Sequence, residues 1–111
     1  MTEAATVEND AALRELVEKI VERADPVAVY LFGSRARGDH DEDSDYDLMI
    51  VVDDSWPPER ANVREAFKLV EGRSVPVDAL LVRRARFEEE KHLVGTMSHE
   101  VACDGRLLHG S

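Results

Sequence analysis

The chain has 111 residues, of which 43% are apolar, and a formal net charge of −10. This length fits one domain over residues 1–111, with 1–9 expected to be disordered or frayed, and the apolar share argues against wholesale disorder. The 24 acidic and 14 basic side chains argue against a duplex DNA-binding protein, which needs many cations against phosphates. A single cysteine, Cys103, excludes an internal disulfide and is expected to be a small buried side chain. With no apolar run long enough for a membrane span, we expect a cytoplasmic protein.

The first half of the chain predicts one helix and two strands. Apolar residues recur at helical spacing over residues 13–24, and Asp25-Pro26 ends this helix because the residue before proline avoids helical geometry. Residues 27–32 form a short apolar run rich in β-branched and aromatic side chains, which is typical of a buried strand. A second strand over 46–52 is apolar on both faces beyond its first turn, so we expect helices on both sides of the sheet.

The second half adds helices and strands in alternation. Helical spacing continues over residues 61–70, and a third strand follows over 75–82. A charged helix is predicted over 84–92, a further helical stretch over 97–103, and a short strand over 106–109. This order indicates an α/β or α+β domain in which a small mixed sheet packs against helices.

Acidic residues crowd into positions 39–47, and two of them occupy a distinctive place. Asp45 and Asp47 open the second strand, and side chains two apart on a strand share a face. Two such carboxylates repel unless a cation neutralises them, and Mg²⁺ typically takes one or two carboxylates together with substrate phosphates. For the other acids of the cluster, a solvated loop is as good an interpretation as a functional site: Asp39, Asp41, Glu42 and Asp43. His40 lies among them and could touch a phosphate or metal, but we expect it to be solvated.

A third acid, Asp78, lies inside the apolar run of the third strand. A carboxylate there is costly if it is buried without a partner. If the third strand lies beside the second, Asp78 joins Asp45 and Asp47 as a triad. It would then complete a metal site or take the proton from an attacking hydroxyl.

The turn after the first strand is the other candidate site. Gly33 lets the backbone turn tightly and approach a ligand closely, and Ser34 would start a helix whose N–H groups and hydroxyl face an anion such as a triphosphate. Arg35 or Arg37 could neutralise phosphate charge. A Walker P-loop is rejected because Asp39-His40 stands where lysine and Ser/Thr are required.

Together these residues resemble a known signature. Residues 33–38, Gly-Ser-Arg-Ala-Arg-Gly, are followed after five residues by Ser-Asp-Tyr-Asp-Leu at 44–48. This pattern is similar to the GSxARG…SDxDL signature of the minimal nucleotidyltransferases of the DNA polymerase β superfamily, and Asp78 fits the third acid of that family. The resemblance implies that Gly33, Ser34 and Arg37 bind the nucleotide. It further implies that the metal ligands and catalytic residues are the three acids, Asp45, Asp47 and Asp78.

The resemblance extends to small family members that serve as antitoxins of HEPN-domain ribonuclease toxins. There the enzyme transfers AMP from ATP to a tyrosine of the toxin and silences it. The resemblance therefore implies ATP as substrate, Mg²⁺ as cofactor and a HEPN-domain toxin as partner, with no role for membrane or direct duplex DNA binding. Two alternatives stay open: a non-enzymatic antitoxin that masks the toxin by binding, and a transferase acting on a small molecule or an RNA end.

Overall fold

The computed structural model describes residues 11–39 and 44–110. Predicted elements are found in the predicted order, and their ends differ from the predicted ones by no more than two residues. The helices are α1 Ala11–Ala24, α2 Ser34–Arg37, α3 Val63–Leu69, α4 Arg84–Glu90 and α5 Met97–Asp104, with a 3₁₀ turn Pro58–Arg60 before α3. The strands are β1 Ala28–Phe32, β2 Tyr46–Val52, β3 Val77–Arg83 and β4 Arg106–Gly110. The frayed start expected at 1–9 and the loop residues His40, Asp41, Glu42 and Asp43 lie outside the described residues.

The strands form one mixed sheet in the order β3-β2-β1-β4. β2 and β3 run parallel, whereas β1 is antiparallel to both of its neighbours, β2 and β4. A parallel pair needs a crossover connection, and α3 supplies it between β2 and β3. The small mixed sheet with helices is therefore confirmed. Its topology brings the end of β1 beside the starts of β2 and β3.

Both faces of the sheet are covered by helices, as the apolar runs of the strands predict. On one face, alternate strand residues pack beneath α1 and α3, and on the other face the remaining residues pack beneath α4 and α5. The first core includes Leu13, Leu16, Ile20, Val29, Leu31, Leu48, Ile50, Ala66 and Leu69. The second core includes Ala28, Phe32, Met49, Val51, Val82, Phe87 and Val101. Among the described helices, none is long and apolar enough to cross a membrane.

Two basic side chains of α1 tie it to the carboxyl end of α3. Nη1 of Arg23 donates hydrogen bonds to the carbonyl oxygens of Leu69 at 3.0 Å and Glu71 at 2.8 Å, and Nζ of Lys19 donates to that of Gly72 at 3.1 Å. The last carbonyls of a helix have no partner within that helix, so an external donor satisfies them. We call this group of contacts the α1–α3 clasp.

The prediction that Cys103 is buried is wrong, because its thiol is exposed on α5. Val101 is the buried apolar residue of this helix, and a residue two positions further lies about 200° around the helix axis. Sγ of Cys103 is 3.5 Å from Nε2 of His99, whose Nδ1 lies 2.9 Å from the carbonyl oxygen of Lys91. The thiol therefore packs beside an imidazole at the surface.

Candidate active site

The turn between β1 and α2 requires glycine for two separate reasons. Gly33 has φ +76°, a left-handed conformation that side chains other than glycine rarely adopt. A Cβ atom at this position would also overlap Oδ2 of Asp47. The backbone of Gly33 thus packs directly against a carboxylate, and Ser34 begins α2 immediately beyond it.

The three predicted acids lie at the same end of the sheet. Asp47 is the second residue of β2 and stands in register with Phe32 of β1 on one side and with Asp78 of β3 on the other. Neighbouring strands are about 4.8 Å apart, so Asp47 and Asp78 are close neighbours. Asp45 precedes β2 directly and is exposed, as is Asp78, whereas Asp47 is half-buried.

The pKa of Asp47 is raised by its surroundings. Burial raises the pKa of Asp47 above the ordinary value of 3.8, and the charges of Asp78, Asp45 and Glu100 raise it further. Arg37 acts in the opposite direction but does not offset them. A raised pKa means that the charged carboxylate is disfavoured where it stands. Burial and the surrounding carboxylates thus both act against the charged form of Asp47.

A cavity of about 420 Å³ brings the two halves of the predicted site together. It is lined by Phe32, Gly33, Ser34, Arg37, Asp47, Asp78, Leu80, Met97 and Glu100. Five of the six predicted site residues are in that lining; the sixth, Asp45, is exposed nearby at the start of β2. The glycine-serine turn, one arginine and two carboxylates consequently face a common volume.

Helix α5 contributes two residues that the sequence did not single out. Met97 and Glu100 line the cavity, and Oε2 of Glu100 is 3.7 Å from Nη1 of Arg37. Glu100 and Val101 follow Met97 by three and four residues, a spacing that places Met97 and Glu100 on the same side of the helix as the buried Val101. This spacing predicts which residues share a face of α5, but it does not predict that this face covers the candidate site.

Arg35 has a different position from Arg37. Its Nε donates a 2.9 Å hydrogen bond to the carbonyl oxygen of Ser44, and its guanidinium lies 4.1 Å from the ring centroid of Tyr46. Arg35 therefore connects α2 to the beginning of β2. Arg37 lines the cavity and also forms a 3.2 Å ion pair with Asp39, so it is the arginine of the predicted pair that faces the site.

The donor set of the site has the chemistry of a divalent metal site. Within residues 11–39 and 44–110, no three His, Cys, Asp or Glu side chains stand close enough together to hold an ion as they are placed. The groups present are nevertheless carboxylate oxygens, which hard cations such as Mg²⁺ prefer. Asp47 and Asp78, which stand in register on neighbouring strands, are the residues that could hold such a cation.

The chain was compared with protein-family models and with solved structures, and both comparisons found similar proteins. Residues 13–103 match the family model described as the nucleotidyltransferase domain. A similar solved structure is a Sulfolobus solfataricus protein provisionally named a nucleotidyltransferase. It is 27% identical, with a TM-score of 0.57 over 89% of this chain and 78% of that chain.

Two further similar structures are toxin–antitoxin proteins. One was solved with AMP-PNP and is 23% identical, with a TM-score of 0.56; the other is a mutant of MntA–HpeT, 20% identical, with a TM-score of 0.55. Each alignment covers 88% of this chain and 73% of the other chain, and at these identities the likeness shows the fold alone. No curated protein is significantly similar to the chain. Because the family model spans most of the sequence, including the glycine-serine turn and all three acids, the chain belongs to the nucleotidyltransferase domain family.

Proposed function

We propose that this chain is a minimal nucleotidyltransferase that moves AMP from ATP to the tyrosine hydroxyl of a HEPN-domain ribonuclease toxin and so acts as a cytoplasmic antitoxin. The cavity in which Gly33 and Ser34 face the carboxylates of Asp47 and Asp78 carries the proposal. Further support comes from two structural neighbours that are toxin–antitoxin proteins, one of them solved with the ATP analogue AMP-PNP.

The glycine-serine turn is the proposed binding site for the triphosphate. Gly33 lacks a side chain that would shield the backbone, and Ser34, which begins α2 directly after it, places a hydroxyl on the wall of the same cavity. Arg37 adds a guanidinium on the same cavity wall, where it can bind phosphate oxygens in a bidentate manner. With the terminal phosphates at this turn, the α-phosphate lies toward Asp47 and Asp78.

Asp45, Asp47 and Asp78 are the proposed ligands of Mg²⁺, which when bound would supply positive charge to the α-phosphate and to the departing pyrophosphate. The acceptor oxygen forms a bond to the α-phosphorus, while the bond from that phosphorus to the bridging oxygen breaks. The electron pair of the broken bond leaves with pyrophosphate. The hydroxyl proton passes to the carboxylate of Asp78, which is exposed and can release it to solvent.

Retention of several carboxylates in one site favours catalysis over masking. Burial of Asp47 and the neighbouring carboxylates both act against its charged form in the folded protein and raise its pKa. A protein that acted only by covering a toxin would gain nothing from this arrangement. The acid pair and the turn therefore support an enzyme rather than a binding module.

The proposal is tested by incubating the protein with ATP, Mg²⁺ and the product of the adjacent gene. Intact mass spectrometry should detect one or more AMP groups on the partner, and the gain should be lost in Asp45→Asn, in Asp47→Asn and on addition of EDTA. Asp104→Asn, at the exposed end of α5, is the matched control and should retain the activity.

Two results would redirect the assignment. If Asp47→Asn silences the partner fully and no mass shift is found with either protein, masking replaces catalysis. If AMP is instead transferred to an RNA end or a small molecule such as an aminoglycoside, the reaction class stands and the protein acceptor does not.

A further inference from the structure

A second cavity continues from the candidate active site along β3, the strand at the edge of the sheet. It has a volume of about 430 Å³ and shares Leu80 and Met97 with the first cavity. The other lining residues considered below are Met49, Val63, Arg86 and Glu90, and we call this cavity the β3 cleft. It lies between α4 and α5 on one side and the start of α3 on the other.

The position of the β3 cleft follows from the order of residues across the end of the sheet. Gly33 follows β1, Asp47 is on β2 and Asp78 is on β3. Because these strands are neighbours in that order, Gly33 lies nearest the centre of the sheet, Asp78 lies at its edge, and Asp47 lies between them. The cleft begins beyond Asp78, two residues along β3 at Leu80. Its lining includes residues of β2 and β3 but none of β1, so the cleft lies on the β3 side of the carboxylates, whereas the glycine-serine turn lies on the β1 side.

In-line displacement at phosphorus places the attacking oxygen opposite the leaving group. With the departing pyrophosphate at Gly33 and Ser34, the attacking hydroxyl has to approach from the side of Asp78. The β3 cleft opens on that side, and a group seated in it would present its oxygen to the carboxylate proposed to take the proton.

The lining of the β3 cleft suits an aromatic ring. Two methionines, Met49 and Met97, line it together with Val63 and Leu80, and thioethers make favourable contacts with aromatic rings. Val63 and Met97 are 52% and 46% exposed, so both side chains are accessible to a ring that enters the cleft.

The charged residues of the cleft do not favour a phosphate group there. Arg86 and Glu90 also line the cleft, and they neutralise each other through a 3.0 Å ion pair. Among the residues that line the cleft, the one cation is thus held by a carboxylate of its own helix, and the rest of the lining is mainly apolar.

We propose that the β3 cleft seats the aromatic ring of the acceptor tyrosine of a polypeptide partner, with its hydroxyl directed toward Asp78. The inference rests on the proposed function and adds the acceptor side of the site. Val63, the first residue of α3, becomes a residue that determines acceptor specificity without taking part in nucleotide binding.

The test uses the full-length, ¹⁵N-labelled protein with Mg²⁺, α,β-methylene-ATP as nucleotide and N-acetyl-tyrosine amide as acceptor probe. The nucleotide should shift amide resonances at residues 33–37, and the probe should shift those at 61–63, 80–82 and 96–98. Both ligands should bind together, because they occupy opposite sides of the carboxylates.

Substitution separates the two sites. Val63→Glu should weaken binding of the probe about tenfold, since a carboxylate then faces the ring, and should leave nucleotide affinity unchanged. The variant is expected to fold because acidic residues are favourable in the first turn of a helix. Phe67→Glu is the matched control: Phe67 is exposed on the same helix outside the cleft, and its replacement should alter neither affinity.

The outcomes distinguish failure of the inference from failure of the proposed function. If the nucleotide itself shifts residues 61–63 and competes with the probe, the cleft seats the nucleobase and the inference is overturned. Probe-induced shifts that are absent or lie elsewhere overturn it as well. If instead the nucleotide leaves residues 33–37 unchanged, the proposed nucleotide site, and the inference resting on it, are wrong.

Discussion

Gly33 and Asp47 are packed so closely that the carboxylate of Asp47 occupies the space a side chain on Gly33 would need. Gly33→Ala should therefore displace Asp47 and abolish detectable AMP transfer, besides straining a backbone with φ +76°. Gly38→Ala separates the two effects, since φ there is +86° and no atom lies within 4 Å of the added methyl group. That control should lose about 1–2 kcal/mol of stability and keep its activity. Equal activity of the two variants would show that contact with Asp47 is unimportant.

Asp47→Asn should stabilise the metal-free protein. Since the pKa of Asp47 is raised on folding, the unfolded chain gives up this proton more readily, and stability declines as the pH rises through the folded-state pKa. At pH 7 in EDTA the variant should melt at a higher temperature than wild type. The gain in free energy of unfolding should stay below about 1 kcal/mol, because solvent screens the charge of a half-buried group.

The difference should vanish below pH 3.8, the ordinary pKa, where Asp47 is protonated in both the folded and unfolded states. Asp104→Asn is again the control and should leave the melting temperature unchanged. Asp53→Asn would not serve, because Asp53 accepts hydrogen bonds from Ser55 that the substitution would alter. A wild-type protein more stable than Asp47→Asn in EDTA at neutral pH would contradict the electrostatic account.

Arg37→Ala should weaken ATP binding about tenfold through loss of a charge-assisted contact to phosphate. Isothermal titration calorimetry with α,β-methylene-ATP measures this without turnover. Arg64→Ala removes the same charge from the exposed surface of α3 and should leave ATP affinity unchanged. Equal losses in the two variants would mean that only the net charge of the protein matters.

Glu100→Gln should lower the pKa of Asp47 toward its ordinary value, because a negative charge that raises it is removed. ¹³C NMR of the aspartate carboxyl groups measures the change directly. Nucleotide affinity should rise as well, since the 3.7 Å ion pair no longer holds Arg37 against a competing carboxylate. A weaker nucleotide affinity in this variant would indicate instead that Glu100 positions Arg37.

The strands and the acids at their ends were predictable because local sequence determines them. Residues 48–52 form an unbroken apolar run after a charged loop, so both the strand and the place of Asp47 near its start follow from the pattern. Glu100 was not predictable in this way. Its approach to Arg37 depends on how α5 packs over the sheet, which no local spacing reports.

The exposure of Asp78 also required the fold. An apolar run around an acid suggests burial, but β3 lies at the edge of the described sheet, and the carboxylate near its start is exposed. The error over Cys103 has a similar origin. Its small apolar character says nothing about its angular position on α5, which is set by Val101 facing the core.

The α1–α3 clasp has a consequence for how the molecule opens. Arg23 and the carbonyls of Leu69 and Glu71 are 46 and 48 residues apart in the chain, so their contacts can form only after both helices are in place. α1 and the end of α3 should therefore behave as one cooperative unit in hydrogen exchange, losing protection together. Because α3 is the helix that connects β2 to β3, loss of that unit should also weaken the pairing between β2 and the strand that bears Asp78.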